Sequence, residues 1–99
     1  MTYVIFEVKS EDVGKINKLT KDDIVSRQSI LTRDSSSLEI KGNVSYVKIE
    51  GNDKGLKQAG KLAKELGFKK LGQKKAKEVD KKIKEQEDSA ASGMGMIFD

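Results

Sequence analysis

The reading of the fold turns on the stretch SLEIKGNVSYVKIEG, residues 37–51. Leu38 and Ile40 alternate with Glu39 and Lys41, which is the two-residue period of a strand with one buried face. Gly42-Asn43 follows as a two-residue turn with glycine first, which suits a type II′ hairpin. In the return run Val47 and Ile49 face inward, while Tyr46, Lys48 and Glu50 face outward.

Upstream, TYVIFEV is apolar on both pleat faces, with Val4, Phe6 and Val8 on one and Tyr3 and Ile5 on the other. That pattern belongs to a strand inside a sheet. SEDVGKINKL reads as a short helix: Ser10 is its N-cap, Glu11 and Asp12 sit in the first turn, and Val13, Ile16 and Leu19 keep helical spacing. DDIVSRQSILTRDSSS favours a strand through Ile24, Val25, Ile30 and Thr32, with a bulge at SRQS and a polar turn at RDSSS.

Downstream, GNDKG breaks the strand and offers Asn52 or Asp53 as a helix cap. Residues 54–66 form a helix with a stripe of Leu56, Ala59, Gly60, Ala63 and Leu66. Gly67 suits the left-handed residue after its end, and Phe68 folds back in a Schellman arrangement. A last helix, residues 72–91, carries a thin stripe of Leu71, Ala76, Val79 and Ile83. The chain then turns near Ala91 into SGMGMIFD. The order is β-α-β-β-β-α-α. It predicts one α+β domain over residues 1–91 and an apolar tail over 92–99, the domain being a two-layer sandwich of antiparallel strands against helices.

Ninety-nine residues make one domain, and 35% hydrophobic against 36% charged residues demand an economical core. There is no Cys, hence no disulfide, thiolate nucleophile or thiolate metal site, and no His, the commonest general base and metal ligand. The opening MTYVIFEVKSED lacks the features of a signal peptide. No run reaches the ~18 apolar residues of a membrane span. The expectation is a cytoplasmic protein with no cofactor, no metal and no membrane partner.

Charge is the strongest functional signal. Residues 54–77 hold nine Lys and one Glu, about +8, in a chain of net +4, so the remainder is −4. Lys54, Lys57, Lys61 and Lys64 cluster on one side of their helix at ~100° per residue, opposite the Leu/Ala stripe. Lys69, Lys70, Lys74, Lys75 and Lys77 continue the patch. Such a concentration suits a polyanion, whose counterions it releases. It also suits a plain solvated face. Apart from Lys61 (Glu65) and Lys74 (Glu78), the lysines lack balancing Glu at i+4, yet the patch has no Arg, the better residue for bidentate phosphate contacts.

Weaker signals each carry an ordinary structural reading. Tyr46, placed outward beside Lys48, offers a stacking platform for bases or a cross-strand packing partner, and is simply core if the helices cover that face. GNDKG sits where a loop could cradle phosphate, but it matches neither G-x-G-x-x-G nor a P-loop, and an N-cap explains it. Asp22-Asp23 after Thr20 reads as a turn or cap. Glu85, Glu87 and Asp88 do not aim at one point, so nothing here specifies an enzyme. The last helix is basic first and acidic last, against its macrodipole, with Lys74–Glu78 and Lys81–Glu85 offsetting part of that cost. In the tail, Met94, Met96, Ile97 and Phe98 cover the protein's own surface, dock on a partner or pair with a second copy; the apolar content argues against the remaining reading, a frayed end.

YVKIEGNDKGLKQAGKLAKELG and SAASGMGMIFD, with the hairpin between Leu38 and Ile49, resemble a family of small archaeal proteins without assigned function. The resemblance implies a two-layer sandwich similar to one repeat of the TATA-box-binding protein. It transfers no functional residue. A TATA-binding saddle reads DNA from its sheet with apolar wedges; this chain has no evident Phe pair for that role, and its lysines lie on helices. The sequence therefore favours a non-enzymatic interaction module working through protein contacts, with the apolar tail and the long last helix as candidate surfaces; the alternative is a nucleic-acid-binding domain using the Lys54–Lys77 patch.

Overall fold

A computed structural model describes the backbone of residues 2–98 and the side chains of residues 2–87. The strands are β1 (Thr2–Lys9), β2 (Ser29–Asp34), β3 (Val44–Gly51) and β4 (Lys69–Lys70), and the helices are α1 (Ile16–Thr20), α2 (Asp53–Glu65) and α3 (Gln73–Phe98). The four strands form one antiparallel sheet in the order β2-β3-β1-β4. The α+β class expected of the sequence is the class adopted.

β1 is one of the two inner strands, in keeping with its two apolar faces. It pairs with β3 along its whole length, from Thr2↔Gly51 to Lys9↔Val44. On its other side β4 pairs only with Phe6 and Glu7.

The expected hairpin is displaced. β3 pairs with β2, from Ser29↔Glu50 to Asp34↔Ser45, and not with residues 38–41. Leu38 ends a short 3-10 turn, Ser36–Leu38, and Glu39 is left-handed at φ 59°. Buried Ser35 closes this loop: its hydroxyl donates to the Gly42 carbonyl at 2.9 Å and accepts from the Val44 amide at 3.3 Å. The alternation of Leu38 and Ile40 is real, but both side chains tuck into an apolar layer from a loop. Period alone does not separate that from a strand.

The first helix also starts differently. Ser10–Lys15 is 3-10 and becomes α-helical only at Ile16. Ser10 does not cap it; its hydroxyl accepts a hydrogen bond from Asn43. Val13 and Gly14 are poor formers of an α-helix nucleus, which leaves the tighter turn.

α2 follows its sequence closely. The Asn52 side chain accepts from the Gly55 amide at 2.8 Å, so Asn52 is the cap. At the other end Gly67 has φ 81°, its N–H reaches the Lys64 carbonyl, and the Phe68 N–H reaches the Ala63 carbonyl. Those two bonds make the Schellman end, and they bury Phe68.

The helices divide between the faces of the sheet. Phe6, Val8, Val47 and Ile49 pack with Leu19, Leu56, Ala59 and Ala63, the contribution of α1 and α2. On the opposite face Ile5 and Tyr46 pack with Leu71, Val79 and Ile83, the contribution of α3 and its approach. The alternation of β3 is therefore correct while its solvent side is not. Tyr46, expected outward, is 2% exposed. The thin stripe foreseen on α3 is fully used. That helix spans Gln73–Phe98, past the expected end near Ala91. The side chains of Met94, Met96, Ile97 and Phe98, and of Asp88, lie outside the described residues.

Ile83 anchors α3 where the helix has only a thin apolar stripe. Ile83→Ala is expected to cost about 2–5 kcal/mol, whereas Lys81→Ala, at an exposed position, is expected to stay within about 0.5 kcal/mol. Urea denaturation of both variants checks this; equal midpoints would mean that α3 is not docked on the sheet.

Candidate functional site

The nine lysines of residues 54–77 are all exposed, and none has an ion-pair partner among the described residues. They do not form one flat face. Lys54, Lys57, Lys61 and Lys64 ride on α2, on one side of the sheet. Lys74, Lys75 and Lys77 ride on α3, on the other side. Lys69 and Lys70 are β4 itself, at the sheet edge between them. The patch read as continuous in sequence is a belt wrapped around that edge.

Two shallow recesses flank the edge. One is lined by Val4, Leu56 and Gly60 with Asp53, Lys57 and Lys70. The other is lined by Tyr3, Leu71, Gln73 and Ala76 with Lys70 and Lys77. Thr2 lines both. Of the nine lysines, Lys57, Lys70 and Lys77 are thus brought to a common feature, and sequence reasoning did not distinguish them from the rest.

The sequence also gave no hint of a charge cluster inside the α3 layer. Lys48 of β3 donates to Asp80 Oδ1, and Lys84 reaches Asp80 Oδ2 at 3.2 Å. The Lys48 and Asp80 side chains are only 13% and 7% exposed. Lys48 Nζ also lies 4.9 Å from the centre of the Tyr3 ring, a cation–π approach. Burial pushes the Asp80 carboxyl up, but the hydrogen bonds and charges of Lys48 and Lys84 outweigh it, and the group is held below the usual carboxylate range. The hydrogen bond that Lys84 donates to Asp80 raises Lys84 in turn, with the Asp80 charge adding to it. The cluster is satisfied and packed, which suits cohesion between layers better than chemistry. The expected helix pairs Lys74–Glu78 and Lys81–Glu85 are not within 4 Å, in keeping with the weak pull between exposed charges.

The remaining sequence signals resolve into structure. Burial raises the Tyr46 phenol, with Glu7 adding to it, and the ring offers no stacking surface. In GNDKG the space beside Gly51 and Gly55 is filled by Gln28: a β-carbon at Gly51 would lie 1.8 Å from Gln28 Oε1, and one at Gly55 2.2 Å from its Cδ. Gln28 also accepts from the Asn52 amide, so the start of α2 is closed by the chain's own side chain rather than open to phosphate. Asp22 is a loop cap, as its sequence context suggests. Its Oδ2 accepts from the Ile24 and Val25 amides and its Oδ1 from Gln58 of α2. The Val25 bond comes first in holding that carboxyl low, against a smaller effect of burial. Asp23 points to Arg27 at the surface, and Glu85 and Glu87 are exposed on α3.

Among the described residues no group of His, Cys, Asp and Glu could hold a metal ion, and no helix is long and apolar enough to cross a membrane. Comparison with protein-family models, with curated proteins and with solved structures finds no match.

Asp80 has a depressed folded-state pKa, so its stabilisation is present above the unfolded value near 4 and is lost as pH falls through the folded value. Asp80→Asn is expected to remove that component of the acid slope. Asp80→Ala, which strands Lys48, is expected to cost about 3–5 kcal/mol at pH 7. Denaturant midpoints from pH 7 to pH 2 check both; a wild-type acid slope in Asp80→Asn would contradict the assignment.

Proposed function

We propose that this chain is a non-enzymatic interaction module that works through protein contacts, using the lysine belt around the β1–β4 edge. The observation that carries the reading is the placement of exposed lysines, without acidic partners among the described residues, on both sides of one sheet edge. Charge kept free of local neutralisation is available to an acidic partner, and it speeds encounter. The cysteine-free, lysine-rich composition suits a cytoplasmic setting.

A nucleic-acid reading draws on the same nine charges. Three features favour protein instead. The belt turns around an edge, so the α2 and α3 lysines face away from each other across the sheet. It contains no Arg, the usual carrier of bidentate phosphate contacts. Both faces of the sheet carry a core, so the sheet surface that a TATA-binding saddle would use is occupied.

The test is an amide NMR titration with poly-glutamate and, separately, with single- and double-stranded oligonucleotides, at low salt and at about 0.15 M, where the Debye length is ~8 Å. The expected result is that poly-glutamate shifts amides within residues 54–77, while oligonucleotide shifts are diffuse and vanish at the higher salt. Oligonucleotide shifts that persist there, with no response to poly-glutamate, would reverse the assignment.

A further inference from the structure

We propose that the occupant of this edge is an extended acidic segment of a partner protein, added as a strand beside residues 2–5 of β1. The proposal rests on the reading of the chain as a protein-contact module and specifies how the contact is made.

β1 is bonded to β3 along all eight of its residues, so its backbone is held extended throughout. On the opposite side β4 covers only Phe6 and Glu7. The last backbone bond there is from the Leu71 N–H to the Ile5 carbonyl, at 3.0 Å, after which the chain leaves into α3. Backbone polar groups alternate between the two sides of a strand with a period of two. The N–H and C=O of Tyr3 therefore point to the same side as the Ile5 carbonyl, toward an edge where no described backbone group meets them. A rigid strand with unpaired groups is a template for another strand.

The flanks select what can add. Successive side chains of an incoming strand would alternate between the sheet faces. One set enters the recess of Val4, Leu56 and Gly60, the other the recess of Tyr3, Leu71 and Ala76. Gly60 and Ala76 leave room for modest apolar side chains. Lys70 borders both recesses, Lys57 the first and Lys77 the second; Asp53 offsets part of the charge in the first. The surround is net positive. A second copy of this chain would bring its own lysines against these, which disfavours self-pairing, while acidic residues in the segment would be attracted.

The far edge of the sheet differs. The Ser35 N–H bonds the Val44 carbonyl, so by the same alternation the Thr32 carbonyl points out of the sheet. There Arg33 folds over it: Nη1 donates to the Thr32 carbonyl at 2.9 Å, and Nε donates to Gln86 of α3 at 2.8 Å. At that edge the chain's own side chain takes up the outward Thr32 carbonyl, while the β1 edge has lysines beside it and nothing described across it.

The experiment uses the full chain and an acetylated, amidated peptide of alternating Glu and Val, with a second peptide of the same sequence N-methylated at alternate residues. Peptide binding is expected to shift amides of residues 2–5 together with Lys57, Lys70 and Lys77, and to slow hydrogen exchange at the Tyr3 amide at least about tenfold. N-methylation is expected to weaken binding by about tenfold or more, the effect of losing one or two backbone hydrogen bonds. Lys70→Glu, at an exposed position, is expected to weaken it while leaving the folded spectrum intact. Equal binding of both peptides, with Tyr3 exchange unchanged, overturns strand addition but leaves the lysine-belt reading standing. No binding of either peptide or of poly-glutamate overturns both. A Tyr3 amide already protected in the free protein overturns the proposal by showing that the edge is filled without a partner.

Discussion

The ion pair between Lys48 and Asp80 is the constraint on which the second layer of this protein depends. Lys48 occupies the centre of β3, on the face that alternation assigns to solvent. It can be buried only if a carboxylate is buried with it. α3 supplies Asp80 at that point, beside Val79 and one turn before Ile83. A helix with so thin an apolar stripe has little else to set its position along the sheet. A buried charge pair tolerates few alternative registers, because every shift would leave one charge without its partner.

With α3 seated, both faces of the sheet are spent on cores, and the surface left for recognition is the helix exteriors and the edges. The two edges diverge: Arg33 folds over the β2 side, whereas β4 stops after two residues and leaves the start of β1 unpaired. The lysine belt centres on the second of these. Its charges come from three consecutive elements, α2, β4 and α3, so the pattern that looks like a run in sequence becomes a rim in space. Lysine at an edge discourages aggregation between like copies, and the same charge suits the acidic partner proposed for it.

What the sequence disclosed follows from local rules. The left-handed Gly67, the fold-back of Phe68 and both faces of β1 are each specified within a few residues and are where the sequence puts them, and the cap falls on Asn52, one of the two residues offered for it. What it concealed depends on contacts across the chain. Tyr46 and Lys48 carry a surface pattern, and only the distant α3, with Val79 and Ile83 in the layer of the ring and Asp80 on the ammonium, makes them interior. Leu38 and Ile40 alternate like a strand, but Ser35 closes the loop that holds them, and β2 takes their place beside β3. The cap explained GNDKG from sequence, but nothing local shows that Gln28 fills the space beside Gly51 and Gly55. The lysines were legible as a group; that Lys57, Lys70 and Lys77 gather at the open edge depends on β4 pairing with β1.

With α3 over the face of the sheet that carries Tyr46, the edge is the part of the sheet left open to a proposed partner. The most direct measurement is the set of nuclear Overhauser contacts from the Tyr46 ring. The structure predicts contacts to methyl groups of α3, at Val79 and Ile83. A Tyr46 ring with contacts only to its strand neighbours would place that face in solvent and contradict the account.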